Sequence, residues 1–192
     1  MNPIIRNAIS AHQAVIAQIE TLAPQIEIFS QKMVEYLSSG GKIVWMGNGG
    51  SAADSQHLAA EIVVRYQTER RGLASMALTT DTSILTAASN DYGFEYVYAR
   101  QVEALCHAND LVVGISTSGN SPNVLRAIEA AKLLGAYTVG MTGSSGGKLA
   151  ELCDLTIAVP SPVTARVQEA HILIGHMLCE MLDAAFAAHH GT

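Results

Sequence analysis

Leu111-Val112-Val113-Gly114-Ile115-Ser116-Thr117-Ser118-Gly119-Asn120-Ser121-Pro122 runs a strand, a loop and a helix start in succession. Its first five residues form an unbroken apolar run, the pattern of a parallel strand buried on both faces. From Asn123 to Leu134 the spacing is helical. Pro122 suits the first helical position, where its missing N–H costs nothing, and Ser121 suits the N-cap. The loop between them offers backbone N–H groups, a positive helix end and several hydroxyls to one point, which fits a phosphate monoester. It holds no lysine and is therefore not a Walker-type loop. A well-capped turn with surplus serines is the plainer alternative.

Short β-branched runs alternate with helical segments along the rest of the chain, the signature of βαβ units. The predicted strands are Lys42–Met46, Ser75–Leu78, Leu111–Ile115, Tyr137–Met141 and Leu155–Val159. They predict an α/β fold of three layers, with a central five-stranded parallel sheet flanked by helices. Residues 1–38 read as a helical arm, with apolar spacing through Ile5, Ile9, Ala14, Ile16, Ile19 and Leu22, a break at Pro24, and resumption from Ile26 to Leu37. Such an arm packs on its own sheet or on a neighbouring subunit.

The 192 residues suffice for a full core and no Pro/Gly/Ser linker divides them, so a single domain over residues 1–192 is predicted. Eleven basic residues against 17 acidic ones, with no basic cluster beyond Glu69-Arg70-Arg71, argue against a nucleic-acid partner. An anionic ligand must then be held by local geometry rather than by a general positive field. No apolar run approaches the roughly 18 residues of a membrane span and the N-terminus lacks a signal pattern, so no membrane partner and a cytoplasmic location are expected. Cys106, Cys153 and Cys179 are widely spaced in apolar contexts and read as reduced core thiols.

The first strand leads into Gly47-Asn48-Gly49-Gly50-Ser51 and a predicted helix Ala52–Tyr66, with Ser51 at its N-cap and Asp54 three residues on. Both loops fall at carboxyl ends of strands, where open α/β sheets bind ligands. Asp54, His57, Glu61 and Arg65 form one polar stripe on that helix. His57 and Glu61, four residues apart, can share a metal such as zinc, or they can line a solvated face. The last helix, Thr164 to Ala187, is mostly apolar yet carries Gln168, Glu169, His171 and His176, some of which must face a site or an interface. Gln168 and His176 lie about 12 Å apart along that axis, so joint ligation from one straight helix is strained without a bend or a second subunit. His171 reads as structural, and His189-His190 as a polar tail.

Taken together, Gly47–Asp54, His57–Glu61, Leu78–Ser83, Asn90-Asp91, Ser116–Asn123 and Thr164–Glu169 resemble the phosphoheptose isomerases, sugar isomerase (SIS) domain proteins, over nearly the whole chain. Ala74, where that family often has proline, and Ser89, after Ala88, depart from its pattern without touching the chemistry. The resemblance implies a homotetramer with sites at subunit interfaces and one zinc per subunit held by His57, Glu61, Gln168 and His176. It implies sugar binding by Asn48, Gly49, Gly50, Ser51, Glu61, Arg65, Asn90, Asp91 and Gln168, and a phosphate cradle of Ser116, Thr117, Ser118 and Ser121.

The implied reaction converts sedoheptulose 7-phosphate to D-glycero-D-manno-heptose 7-phosphate through an enediol, the first step of ADP/GDP-heptose biosynthesis for surface polysaccharide. Such a proton transfer between C1 and C2 needs a carbon base, an oxygen acid/base and a stabiliser of the enediolate. Glu61 is assigned as the base and His176 as the acid/base. Zinc ligation would lower the basicity of Glu61, so its two roles are in tension. The rival reading is a non-catalytic tetrameric SIS-domain scaffold that binds the replication initiator protein. That type lacks the Glu61 and His176 pair, and this chain has both.

Overall fold

All five predicted strands are present and all pair in parallel. The computed structural model describes residues 1–187, so His189 and His190 lie outside the described residues. In chain order the elements are α1 (Pro3–Ile16), a 3-10 turn (Ile19–Leu22), α2 (Ala23–Ser38), β1 (Ile43–Gly47), α3 (Gly50–Val63), β2 (Ser75–Ala77), α4 (Thr82–Tyr92), a second 3-10 turn (Phe94–Tyr96), α5 (Ala99–Leu105), β3 (Leu111–Ile115), α6 (Pro122–Leu133), β4 (Tyr137–Thr142), α7 (Gly147–Leu152), β5 (Leu155–Ala158) and α8 (Thr164–Phe186).

The strand order is β2-β1-β3-β4-β5. Residues alternate between the two faces, and each face has its own core. Ile43, Trp45, Leu111, Val113 and Val139 pack under α1, α2, α3 and α8, while Val44, Met46 and Val112 pack under α4, α5, α6 and α7. Burial of both faces explains why β1 and β3 read as continuous apolar runs, whereas the edge strands β2 and β5 are only partly buried and carry Ser75 and Thr156. Phe29 and Met33 of α2 are fully buried, and the Phe29 ring lies 6.2 Å from that of Trp45. The second half of the N-terminal arm is therefore part of the chain's own core. Burying side chains of this size contributes roughly 1.5–3 kcal/mol each. α1 is held differently, by His12 Nδ1 at 2.7 Å from Glu169 Oε2 and by Arg166 donating to the Ala8 carbonyl, and it leaves Ile4, Ile5 and Ile9 exposed.

Both ends of α3 differ from expectation. It begins at Gly50, with Gly49 as N-cap at φ +56°, so Ser51 lies in the first turn instead of capping it. A glycine reaches the left-handed region at no steric cost, and the chain turns into the helix two residues early. It ends at Val63 and not Tyr66, because the Glu61 and Ile62 carbonyls accept from the Arg70 guanidinium at 2.9 and 3.0 Å. Arg65 consequently falls outside the helix and off the predicted stripe. Cys106, Cys153 and Cys179 are free thiols, pushed by burial up to about 11, 12 and 12 respectively.

His171 is buried on α8, as a structural histidine should be, with Nε2 donating to the Thr142 carbonyl at 3.2 Å. Burial pushes its imidazole down to about 4, against the opposing pull of that hydrogen bond. The unfolded chain takes up this proton first, so stability is fully present above about pH 6.5 and is lost as the pH falls toward 4. The shift corresponds to about 3 kcal/mol at most. Denaturation midpoints measured at pH 7 and pH 4.5 are expected to fall less for His171→Gln than for the wild type; equal falls would remove His171 as the cause.

Candidate active site

The strand order reverses direction between β1 and β3, and the loops that leave these two strands flank the resulting crevice. Such a switch point is where open α/β sheets bind ligands. A reciprocal amide pair joins the two loops: Asn48 Nδ2 donates to Asn123 Oδ1 at 2.9 Å and Asn123 Nδ2 to Asn48 Oδ1 at 2.8 Å. Asn123 also accepts from the Val124 N–H and is buried, so it anchors Asn48. Beside the pair lies a small cleft of about 230 Å³ between Asn48, Ser121 and Phe94.

In the serine loop, Ser116 Oγ lies 2.8 Å from Ser121 Oγ and 3.5 Å from Ser118 Oγ, so three hydroxyls converge at the N-terminus of α6. Ser121 is the N-cap and Pro122 opens the helix, as predicted, but the Ser121 hydroxyl bonds within the loop and makes no side-chain cap. Gly119 sits at φ +67°, and a Cβ there would stand 2.0 Å from the Gly146 carbonyl oxygen. The loop is thereby packed against the turn that precedes α7, with Gly143 N–H donating to the Thr117 carbonyl and Leu149 N–H to that of Gly119.

The second half of the site lies where α3 runs beside α8. Gly175 makes that approach possible, since a Cβ on it would meet Leu58 Cδ2 at 2.5 Å. One residue along from this contact, His57 Nε2 and His176 Nε2 stand 3.1 Å apart, with the rings edge to face. Glu61 Oε1 is 3.6 Å from His57 Nε2, and the Tyr66 ring stacks on His176 with centroids 5.5 Å apart. Asp54 completes the group: partial burial raises its carboxyl above the ordinary value, and the His57 and His176 imidazoles oppose that rise. Toward the start of both helices, Gln168 lies over Gly50, where a Cβ would meet its Nε2 at 2.7 Å.

Two imidazole nitrogens on a tetrahedral zinc stand about 3.3 Å apart, which the His57 and His176 pair matches. No three His, Cys, Asp or Glu side chains converge tightly enough to hold an ion as they stand among the described residues. His57, His176 and the adjacent Glu61 thus fit a metal with rotation of the carboxylate, whereas Gln168 sits eight residues, about 12 Å of helix, before His176. The other predicted residues are more scattered. Ser51 is 3% exposed beneath the glycine loop. Arg65 donates to the Gln67 carbonyl and lies 3.6 Å from Glu69. Asn90 and Asp91 end α4 on the exposed surface, bonded to each other. Local sequence assigns no site role to Asn123 or Tyr66; Asn123 closes the serine motif, while nothing near Tyr66 marks its contact with a residue 110 positions away.

The parallel sheet with its glycine and serine loops is that of a SIS domain, and the family model of that description matches residues 9–143. The chain is 56% identical over 174 residues to the phosphoheptose isomerase of Aliarcobacter butzleri, covering 90% of this chain and 92% of that protein. It is 54% identical to the phosphoheptose isomerase of Campylobacter jejuni over 91% of this chain and 94% of that one. The solved phosphoheptose isomerase of Neisseria gonorrhoeae superposes with a TM-score of 0.88 at 43% identity, covering 94% of this chain and 97% of that one. The chain belongs to the phosphoheptose isomerase family.

Gly119→Ala forces both backbone strain and a clash with the Gly146 carbonyl, while Gly40→Ala, at φ +85° with nothing within 4 Å, meets strain alone. The Gly40 variant is expected to lose about 1–2 kcal/mol and the Gly119 variant clearly more, read from denaturant midpoints. Equal losses would show that the serine loop is not locked by its neighbour.

Proposed function

We propose that the protein interconverts sedoheptulose 7-phosphate and D-glycero-D-manno-heptose 7-phosphate through an enediol intermediate, serving heptose biosynthesis for surface polysaccharide. The observation that carries this reading is a hydroxyl cradle for phosphate on the same sheet end as a Glu61, His57 and His176 cluster. The names of close relatives support it. They also weigh against the replication-initiator scaffold, as does the presence of both Glu61 and His176.

The Ser116, Ser118 and Ser121 hydroxyls and the start of α6 hold the phosphate, with Thr117 in the same loop. Asn48, fixed by Asn123, and the backbone at Gly49 and Gly50 hold the sugar chain. Gln168, lying over Gly50, reaches the same chain from α8. Glu61 takes a proton from C1 of the ketose and returns it at C2, while His176 moves a proton from O1 to O2, so the carbonyl passes from C2 to C1 with atoms and charge balanced. His57, Glu61, His176 and, after rearrangement, Gln168 would hold a zinc, which supplies Lewis-acid stabilisation to the sugar oxygens.

The exposed Ile4, Ile5 and Ile9 of α1 and an apolar groove of about 540 Å³ between Ile16, Ile26 and Met177 suit assembly into a homotetramer. Residues Ser51, Arg65, Asn90 and Asp91 belong to the substrate site in this reading, the exposed ones facing it across a subunit boundary. No described helix is long and apolar enough to cross a membrane; a cytoplasmic enzyme without nucleic-acid partners accords with that and with the net charge of −6.

Glu61→Gln is expected to lower kcat for sedoheptulose 7-phosphate by roughly 10²–10⁴ while the fold persists; retained turnover would remove Glu61 as base. Ser118→Ala with Ser121→Ala is expected to raise KM more than it lowers kcat, because the phosphate is remote from the reacting carbons. A fall in kcat alone would show the cradle misassigned. Chelation is expected to abolish turnover and added zinc to restore it, with metal analysis of the chelated protein as the check; full turnover in verified metal-free protein would overturn the zinc assignment.

A further inference from the structure

We infer that Tyr66 is a positioning residue that fixes the ring plane of His176. The inference rests on the reading of His176 as the acid/base. An imidazole has a broad, two-fold χ2 torsion, so a half-buried histidine keeps one orientation only if its neighbours impose it. The His176 ring is held from two sides. The Tyr66 ring lies nearly parallel to it, at 20° and 5.5 Å between centroids, and His57 meets it edge to face at 76° and 5.3 Å. His57 and His176 are both candidate ligands, and a metal would fix one ring nitrogen of each without fixing the tilt of the ring about that bond. Tyr66 has no such duty and packs against the core beneath α3 and α8.

Tyr66 stands just past the end of α3, where a chain would ordinarily wander, yet the following segment is tied down. Arg70 and Asp183 form an ion pair at 2.7 Å with side chains 0% and 3% exposed. Asp183 also accepts from the backbone N–H groups of Gln67 and Thr68 at 2.6 and 2.7 Å. The other Arg70 nitrogens donate to the carbonyls of Glu61, Ile62 and Arg71. Burial works against the Asp183 carboxylate, but the Thr68 and Gln67 N–H groups and Arg70 outweigh it and hold the carboxyl below its usual value. A buried ion pair adds little net stability over an apolar pair of the same size, so its effect here is conformational. Asp183 lies seven residues after His176, two turns along the same face of α8. The clasp therefore binds residues 67–70 to the helix that carries His176, and so sets Tyr66 over that ring.

The test compares Tyr66→Phe and Tyr66→Ala in the full chain by steady-state kinetics with sedoheptulose 7-phosphate and by the imidazole proton resonances of His176. Tyr66→Ala is expected to lower kcat about fivefold to tenfold with KM within twofold, and to shift the His176 resonance as the ring current of Tyr66 is lost. Tyr66→Phe is expected to keep both near wild type, because the ring and not the hydroxyl does the positioning. An unchanged kcat in Tyr66→Ala, a rise in KM alone, or a Phe variant as slow as the Ala variant would each overturn the inference. If the wild type itself fails to convert the sugar, the isomerase reading falls, and the resonance then decides: an unmoved His176 signal in Tyr66→Ala overturns the positioning role.

Discussion

The side-by-side packing of α3 and α8 is the constraint on which the site depends. Gly175 admits Leu58 where any Cβ would stand 2.5 Å from its methyl carbon, and that contact sets how near His57 comes to His176. Gly50 plays the matching part at the start of the pair, where Gln168 lies across it. Near the far end of α8, the Arg70 and Asp183 clasp fixes the segment that follows α3. Three contacts spread along two helices thus hold four polar side chains in register, a precision that helices allow more readily than loops.

The proposed phosphate half of the site relies on a different device. Its hydroxyls sit on a loop, and the loop is rigid because Gly119 and the Gly146 turn interlock while Asn123 bonds to Asn48 across the crevice. Neutral donors suffice for the proposed anion because a helix start and several hydroxyls point the same way. In the proposed reaction, separating a rigid anchor for the phosphate from the proton-transfer groups lets binding energy at one end orient the reacting carbons at the other.

Much of this was legible in the sequence, for a physical reason in each case. A parallel strand covered on both faces is apolar throughout, so Leu111–Ile115 and β1 stood out within a residue, while the partly buried edge strands β2 and β5 were marked by their alternation with helical segments. Pro122 and the serine cluster marked the start of α6 by local chemistry alone. What local chemistry could not mark was set by distant partners. The end of α3 depends on Arg70 taking two of its carbonyls, and its start on the positive φ of Gly49, which left Ser51 without its capping role. The stripe of Asp54, His57 and Glu61 was readable from helical spacing, but the meeting of His57 with His176, and of His176 with Tyr66, depends on how two helices lie.

The most direct test is to convert sedoheptulose 7-phosphate in D2O and locate deuterium in the product by NMR. The Glu61 side chain is 22% exposed, so a proton held on it between the two transfers can exchange with solvent and leave deuterium at C2 of the aldose. Deuterium at C2 of the wild-type product, with turnover by Glu61→Gln lowered by roughly 10² or more, is the result the proposed mechanism predicts. Product formed by Glu61→Gln at the wild-type rate, labelled or not, would contradict Glu61 as the base, because a base that returns its proton before exchange also leaves product unlabelled.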